Sequence, residues 1–154
     1  VAMILTRQNL PILEGTKERA ADYFARGAYI LREPDESPQG ILLATGSEVA
    51  LALEAQRQLA AEGYPVRVVS MPSWELFDRQ PRQYQEEVLP PGLKARLAVE
   101  MARPLGWEKY VGNEGKVLGI DTFGASAPGE RVMAEFGFTV QHVVRQMKEL
   151  LNAR

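Results

Sequence analysis

Short unbroken apolar runs alternate along this chain with stretches whose apolar positions recur at helical spacing. Val1 to Leu5 form the first run, and Pro11 forbids its continuation, so a buried strand ends near there. Gly40 to Ala44 form another, followed by the small-residue turn Thr45-Gly46-Ser47. From Glu48 to about Glu62, Val49, Leu53, Gln56 and Ala60 continue one helical stripe, which Leu51, Ala52, Ala55 and Leu59 widen. Ser47 is placed to cap this helix, Glu48 suits its first turn, and Gly63 suits its end. Val66 to Pro72 is rich in β-branched residues. The pattern predicts a βαβ unit with parallel strands and a right-handed crossover.

The remaining runs extend the same plan. Ala28 to Arg32 reads as a strand, closed by the proline-bracketed loop Glu33 to Pro38. It lacks a long crossover to the next strand and is therefore the expected antiparallel member. Lys17 to Arg26 is polar, either irregular or a short helix. A helical turn is predicted around Trp74 to Phe77, a helix from Pro81 to about Val88, and strands at Arg96–Glu100 and Lys116–Ile120. Between those strands Pro104 to Tyr110 forms a helical turn, and Pro128 to Phe136 a short helix. Thr139 caps the final helix, in which Val140, Val143, Val144, Met147, Leu150 and Leu151 share a face. Trp74 and Trp107, both in connectors, read as buried anchors or interface residues. The predicted fold is α/β: three layers, α/β/α, around a mostly parallel open sheet of about five strands with one antiparallel.

Composition narrows the functions. At 154 residues the chain fits one domain. It has no cysteine, which removes disulfides and cysteine-rich metal sites and fits a reducing cytoplasm. A net charge of −2 leaves no electrostatic footprint for nucleic acid. No apolar stretch approaches the roughly 20 residues that span a bilayer, and no signal peptide is evident. Because Val1 opens inside a strand-like run, the chain reads as a piece of a longer polypeptide.

Chemistry-bearing residues are few. The single histidine, His142, falls in the first turn of the last helix and reads as solvated, so neither a metal site nor a Ser-His-Asp triad is expected. The glycine patterns of dinucleotide and P-loop sites are absent as well. Arg7 stands where a buried strand delivers a side chain to its carboxyl end. Its planar fork suits a phosphate or carboxylate there, or equally a structural ion pair. Two turns, one at Thr45 and Ser47, the other at Ser126, precede helix N-termini where amides favour an anion, although both serines also suit plain capping.

Several segments, taken in order, resemble the C-terminal part of transketolases. They are Leu5-Thr6-Arg7-Gln8-Asn9-Leu10-Pro11, Ala44-Thr45-Gly46-Ser47-Glu48-Val49, Val66 to Pro72, Phe123-Gly124-Ala125-Ser126-Ala127-Pro128 and Phe136-Gly137-Phe138-Thr139. Thr6 replaces the serine usual in that family. The resemblance implies residues 1–14 as the end of a pyrimidine-binding domain with its linker, and 15–154 as the C-terminal domain. It implies a homodimeric cytoplasmic enzyme of the pentose phosphate pathway that moves a two-carbon ketol unit between sugar phosphates. Thiamin diphosphate and a divalent cation, Mg or Ca, serve that reaction, and Arg7 matches the arginine that grips the sugar's phosphate. Gly119-Ile120-Asp121 lacks the second glycine and the asparagine pair of the family's metal segment. The fragment alone is therefore expected to bind no cofactor, hold no catalytic residue, and supply scaffold and dimer contacts to the remaining domains. The alternatives are a stand-alone or regulatory module binding an anion or nucleotide, and a pure assembly domain.

Overall fold

A computed structural model describes residues 8–16 and 22–153. Five strands form one sheet: β1 (Tyr29–Arg32), β2 (Gly40–Ala44), β3 (Val66–Ser70), β4 (Ala95–Val99) and β5 (Lys116–Leu118). Their spatial order is β1-β3-β2-β4-β5. β1 runs antiparallel to β3, with a register shift between Ile30 and Arg32, and every other pairing is parallel. The antiparallel assignment of the 28–32 run and the parallel βαβ unit are both observed. The predicted Val1–Leu5 strand lies outside the described residues.

β2 is the centre of the molecule, and all five of its residues are buried. Leu42 and Ala44 face one core while Ile41 and Leu43 face another, so burial on both sides explains an unbroken apolar run rather than alternation. The first core is closed by α1 (Glu48–Ala61) and α6 (Val140–Asn152), through Val49, Ala52, Leu59, Val143, Met147 and their neighbours. Opposite it, α2 (Trp74–Asp78), α3 (Arg82–Val88) and α4 (Glu108–Val111) contribute Phe77, Tyr84, Val88 and Tyr110. A further helix, α5 (Gly129–Glu135), precedes α6. Each fully buried side chain of the Leu or Ile type contributes about 2 kcal/mol. Trp107 is buried as an anchor, edge-on to Trp74 at 5.3 Å between ring centroids.

Two arginines tie loops to the sheet's amino end. Arg67 on β3 donates to both carboxylate oxygens of Glu33, at 2.7 and 2.8 Å, and to the carbonyls of Glu87 and Val88. Arg96 on β4 donates instead to four main-chain carbonyls, those of Leu89, Pro90, Leu93 and Tyr110.

Of the predicted caps, Thr139 accepts from the His142 amide at 3.3 Å, as expected. Ser47 does not cap α1. Its backbone is already helical at φ −66 and ψ −28, whereas a capping residue needs an extended backbone to turn its oxygen onto the free amides. The fourth strand starts and stops one residue earlier than predicted, the fifth ends at Leu118, and the polar 17–26 run includes a 3-10 turn at Phe24–Arg26.

Candidate functional site

From β2 the chain departs through α1 over one face to β3, while β4 lies on the other side of β2 with its connection on the opposite face. That reversal leaves a crevice outside the carboxyl ends of β2 and β4, the place where open α/β sheets receive ligands. Thr45-Gly46-Ser47 leaves β2 there, with the Glu48 amide donating to the Thr45 carbonyl at 3.2 Å. The Ser47 hydroxyl donates to Glu48 Oε1 at 2.7 Å, and Glu48 itself is only 4% exposed. Glu100 follows β4, its amide bonded to the Leu118 carbonyl and its carboxylate accepting from the Trp107 indole.

These two glutamates were not legible as a pair. Each looks ordinary alone, one in a helix's first turn and the other just past an apolar run, and only the β2–β4 register brings them together. Burial pushes the Glu48 carboxyl above the usual carboxylate range, and the Ser47 hydrogen bond opposes that shift. Burial is also the main cause that raises Glu100, followed by the negative charge of Glu48, with the Trp107 hydrogen bond opposing. Both groups hold their protons more tightly than free glutamate.

Arg7 lies outside the described residues, but its neighbour does not. The Gln8 side chain lies about 3.6 Å from where a β-carbon on Gly129 would sit, at the start of α5. The following segment crosses the domain: Leu13 packs partly buried on the first core, and Glu14 pairs with Arg32 at 3.4 Å. The loop before α5 is continuous with the carboxyl rim. The Ile120 amide donates to the Ala102 carbonyl at 2.9 Å, and Arg103 stands 3.9 Å from Asp121. Ser126 is exposed on that loop and does not cap α5, whose preceding residue is Pro128. The structure thus places Gln8 against Gly129, where the loop carrying Ser126 enters α5. No hydrogen bond joins Ser126 to Thr45 or Ser47 among the described residues.

Among the described residues no three or more His, Cys, Asp or Glu side chains stand together as metal ligands. Asp121 is exposed and paired with Arg103. His142 is half-exposed, its ring over Gly137. Two open clefts lie at the opposite, amino end. One, of about 450 Å³, is lined by Leu89, Lys94, Arg96 and Asn113, and another, of about 240 Å³, lies between Arg32, Glu36, Gln56 and Pro65.

Residues 27–139 match the family described as transketolase-like TK C-terminal domain. A transketolase of Halalkalibacterium halodurans is 58% identical over 150 residues, covering 97% of this chain and 22% of that protein. Among solved structures, transketolase from Leishmania mexicana superposes with a TM-score of 0.86 at 40% identity, covering 96% of this chain and 21% of that one. A Pichia stipitis transketolase solved in complex with sedoheptulose-7-phosphate gives 0.84 at 36% identity, with the same coverage of 96% and 21%. The chain spans about a fifth of the length of the relatives it matches.

Proposed function

This chain belongs to the transketolase family, and we propose from that premise that it works as the C-terminal part of a transketolase. The observation that carries the reading is the likeness over nearly the whole chain to one end of much longer enzymes. Transfer of a two-carbon ketol unit between sugar phosphates then belongs to the complete protein, a cytoplasmic homodimer of the pentose phosphate pathway. Thiamin diphosphate with Mg or Ca supplies the means of carrying that unit, held by domains other than this one. Residues 1–14 end the preceding domain and residues 15–154 form the C-terminal one.

Arg7 is the residue through which this chain touches substrate. Its guanidinium offers two parallel donors to a phosphate oxyanion, which anchors the far end of the sugar without entering the bond changes. Support comes from the motif it sits in, whose next residue, Gln8, lies against Gly129 at the end of the 121–128 loop. An Arg7→Ala variant of the complete enzyme is expected to raise KM for phosphorylated sugars about tenfold to a hundredfold, the worth of one charge-assisted pair, with kcat little changed. Unphosphorylated sugars are expected to react as before. Equal losses for both substrate classes would reject phosphate recognition.

A further inference from the structure

Arg67 and Arg96 flank Ile41 in register on its two neighbouring strands, yet their charges are handled differently. Arg67 is neutralised by the paired oxygens of Glu33. Arg96 has no carboxylate partner among the described residues, and its hydrogen bonds all go to main-chain carbonyls. Carbonyl dipoles hold a guanidinium in place without cancelling its charge. Burial lowers the Arg96 pKa, and no neighbouring acid opposes that shift. A partly buried cation without a counter-charge costs stability, and an anion from outside the domain would remove that cost.

The groups around Arg96 complete a receptor for such an anion. It lines the cleft of about 450 Å³ at the amino end of the sheet, and its bonds use every guanidinium hydrogen except one on Nη1. Lys94, two residues earlier, is exposed at the same cleft and has no ion pair among the described residues. Asn113 adds a side-chain amide with no partner of its own, from the loop between α4 and β5. That loop is held close. The Gly115 amide donates to the Gly112 carbonyl at 3.3 Å, and a β-carbon on Gly115 would lie 2.5 Å from the Val111 carbonyl oxygen and 2.7 Å from that of Arg96. Only glycine lets the loop lie directly against the Arg96 strand. Glu114 is the one acid on the lining and pairs with neither cation. Leu89, Pro91 and Val111 supply an apolar wall.

We propose that this cleft binds a small phosphate monoester, its oxyanion held by Lys94, Arg96 and Asn113 and its organic part laid on Leu89, Pro91 and Val111. Two cations with a neutral donor suit phosphate, which carries more charge and more acceptor oxygens than a carboxylate. The volume lies within the range of roughly 300–1,000 Å³ usual for small-molecule sites. The cleft is at the opposite end of the sheet from the Thr45–Ser47 turn and is built wholly from this domain. It is therefore separate from the substrate contact assigned to Arg7.

The test titrates phenyl phosphate into the 154-residue chain at constant ionic strength and follows backbone amide resonances. Saturable shifts are expected at residues 94–96 and 112–115. Inorganic phosphate, which lacks the organic part, is expected to bind the same amides more weakly, and phenol, which lacks the anion, to leave them unmoved. Lys94→Glu is expected to raise Kd at least about 10-fold, the worth of one charge-assisted contact turned repulsive, and Asn113→Ala to raise it less. Both side chains are exposed, so the β2 amides keep their native positions. Arg57→Ala, at an exposed arginine of α1, and Arg7→Ala are expected to leave Kd unchanged, the second separating this cleft from the substrate contact. A linear drift that Lys94→Glu shares overturns the site, as does saturation at residues 45–48 instead. Benzoate binding as tightly as phenyl phosphate overturns the assignment to phosphate.

Discussion

Glu48 and Glu149 are both helical glutamates, yet their surroundings move them in opposite directions. At Glu149 the hydrogen bond from Lys116, 3.0 Å away at the surface, stabilises the ionised form and lowers the pKa. At Glu48 burial dominates and raises it. A carboxyl whose folded pKa exceeds its unfolded value binds its proton more tightly when folded. Its stabilising contribution is complete below the unfolded value of 4.5 and is lost as pH climbs from there through the folded value. Glu48→Gln removes this dependence but keeps an oxygen to accept from Ser47. Urea unfolding of the 154-residue chain between about pH 4 and 7 is therefore expected to show the native chain losing ground to the variant as pH rises. Parallel curves across that range would mean that Glu48 is solvated in the folded state. Glu100 is raised chiefly by its own burial and titrates in the same direction, so part of the slope survives in both proteins, less of it in the variant because the Glu48 charge that also raises Glu100 is gone.

Elements were readable wherever local chemistry decided them. The stripe of α6 and its Thr139 cap, the buried run of β2, and Gly63 at φ +81 just past α1 are all written in the order of residues. What pattern did not disclose is the order β1-β3-β2-β4-β5, because every inner strand sends apolar side chains into both cores and nothing local says on which side of β2 the fourth strand lands. The acid pair was hidden for the same reason, and Arg7, the residue the motif points to, belongs to the segment the structure does not describe. Ser47 misled because a serine before a helix normally caps it, whereas here the helical turn has already begun at Thr45. Two glycines separate conformation from packing. Gly27, at φ +83 between the 3-10 turn and β1, leaves 2.3 Å between an added β-carbon and both Phe77 N and Ser73 O. Gly63 has the same backbone with nothing within 4 Å. Gly63→Ala is expected to cost about 1 kcal/mol, and Gly27→Ala about 2–4 kcal/mol because overpacking adds to the backbone penalty. Equal midpoints in urea would show that the α2 end of the molecule yields to Gly27→Ala at no cost.

At the scale of the whole molecule, both cores and all five strands lie between residues 28 and 150, and the entering segment is a strap laid over them. That strap contributes Leu13, partly buried on the first core, and the Glu14–Arg32 pair, whose side chains are 84% and 39% exposed and hence worth little. If the domain starts at residue 15, as the family resemblance implies, a chain of residues 15–154 keeps one cooperative unfolding transition. It should lose only about 1–2 kcal/mol, the burial of part of one leucine. Urea denaturation followed by tryptophan fluorescence reads this directly, since Trp74 and Trp107 both lie on the face away from Leu13. A larger loss, or a second transition, would move the boundary upstream and make the strap part of the domain.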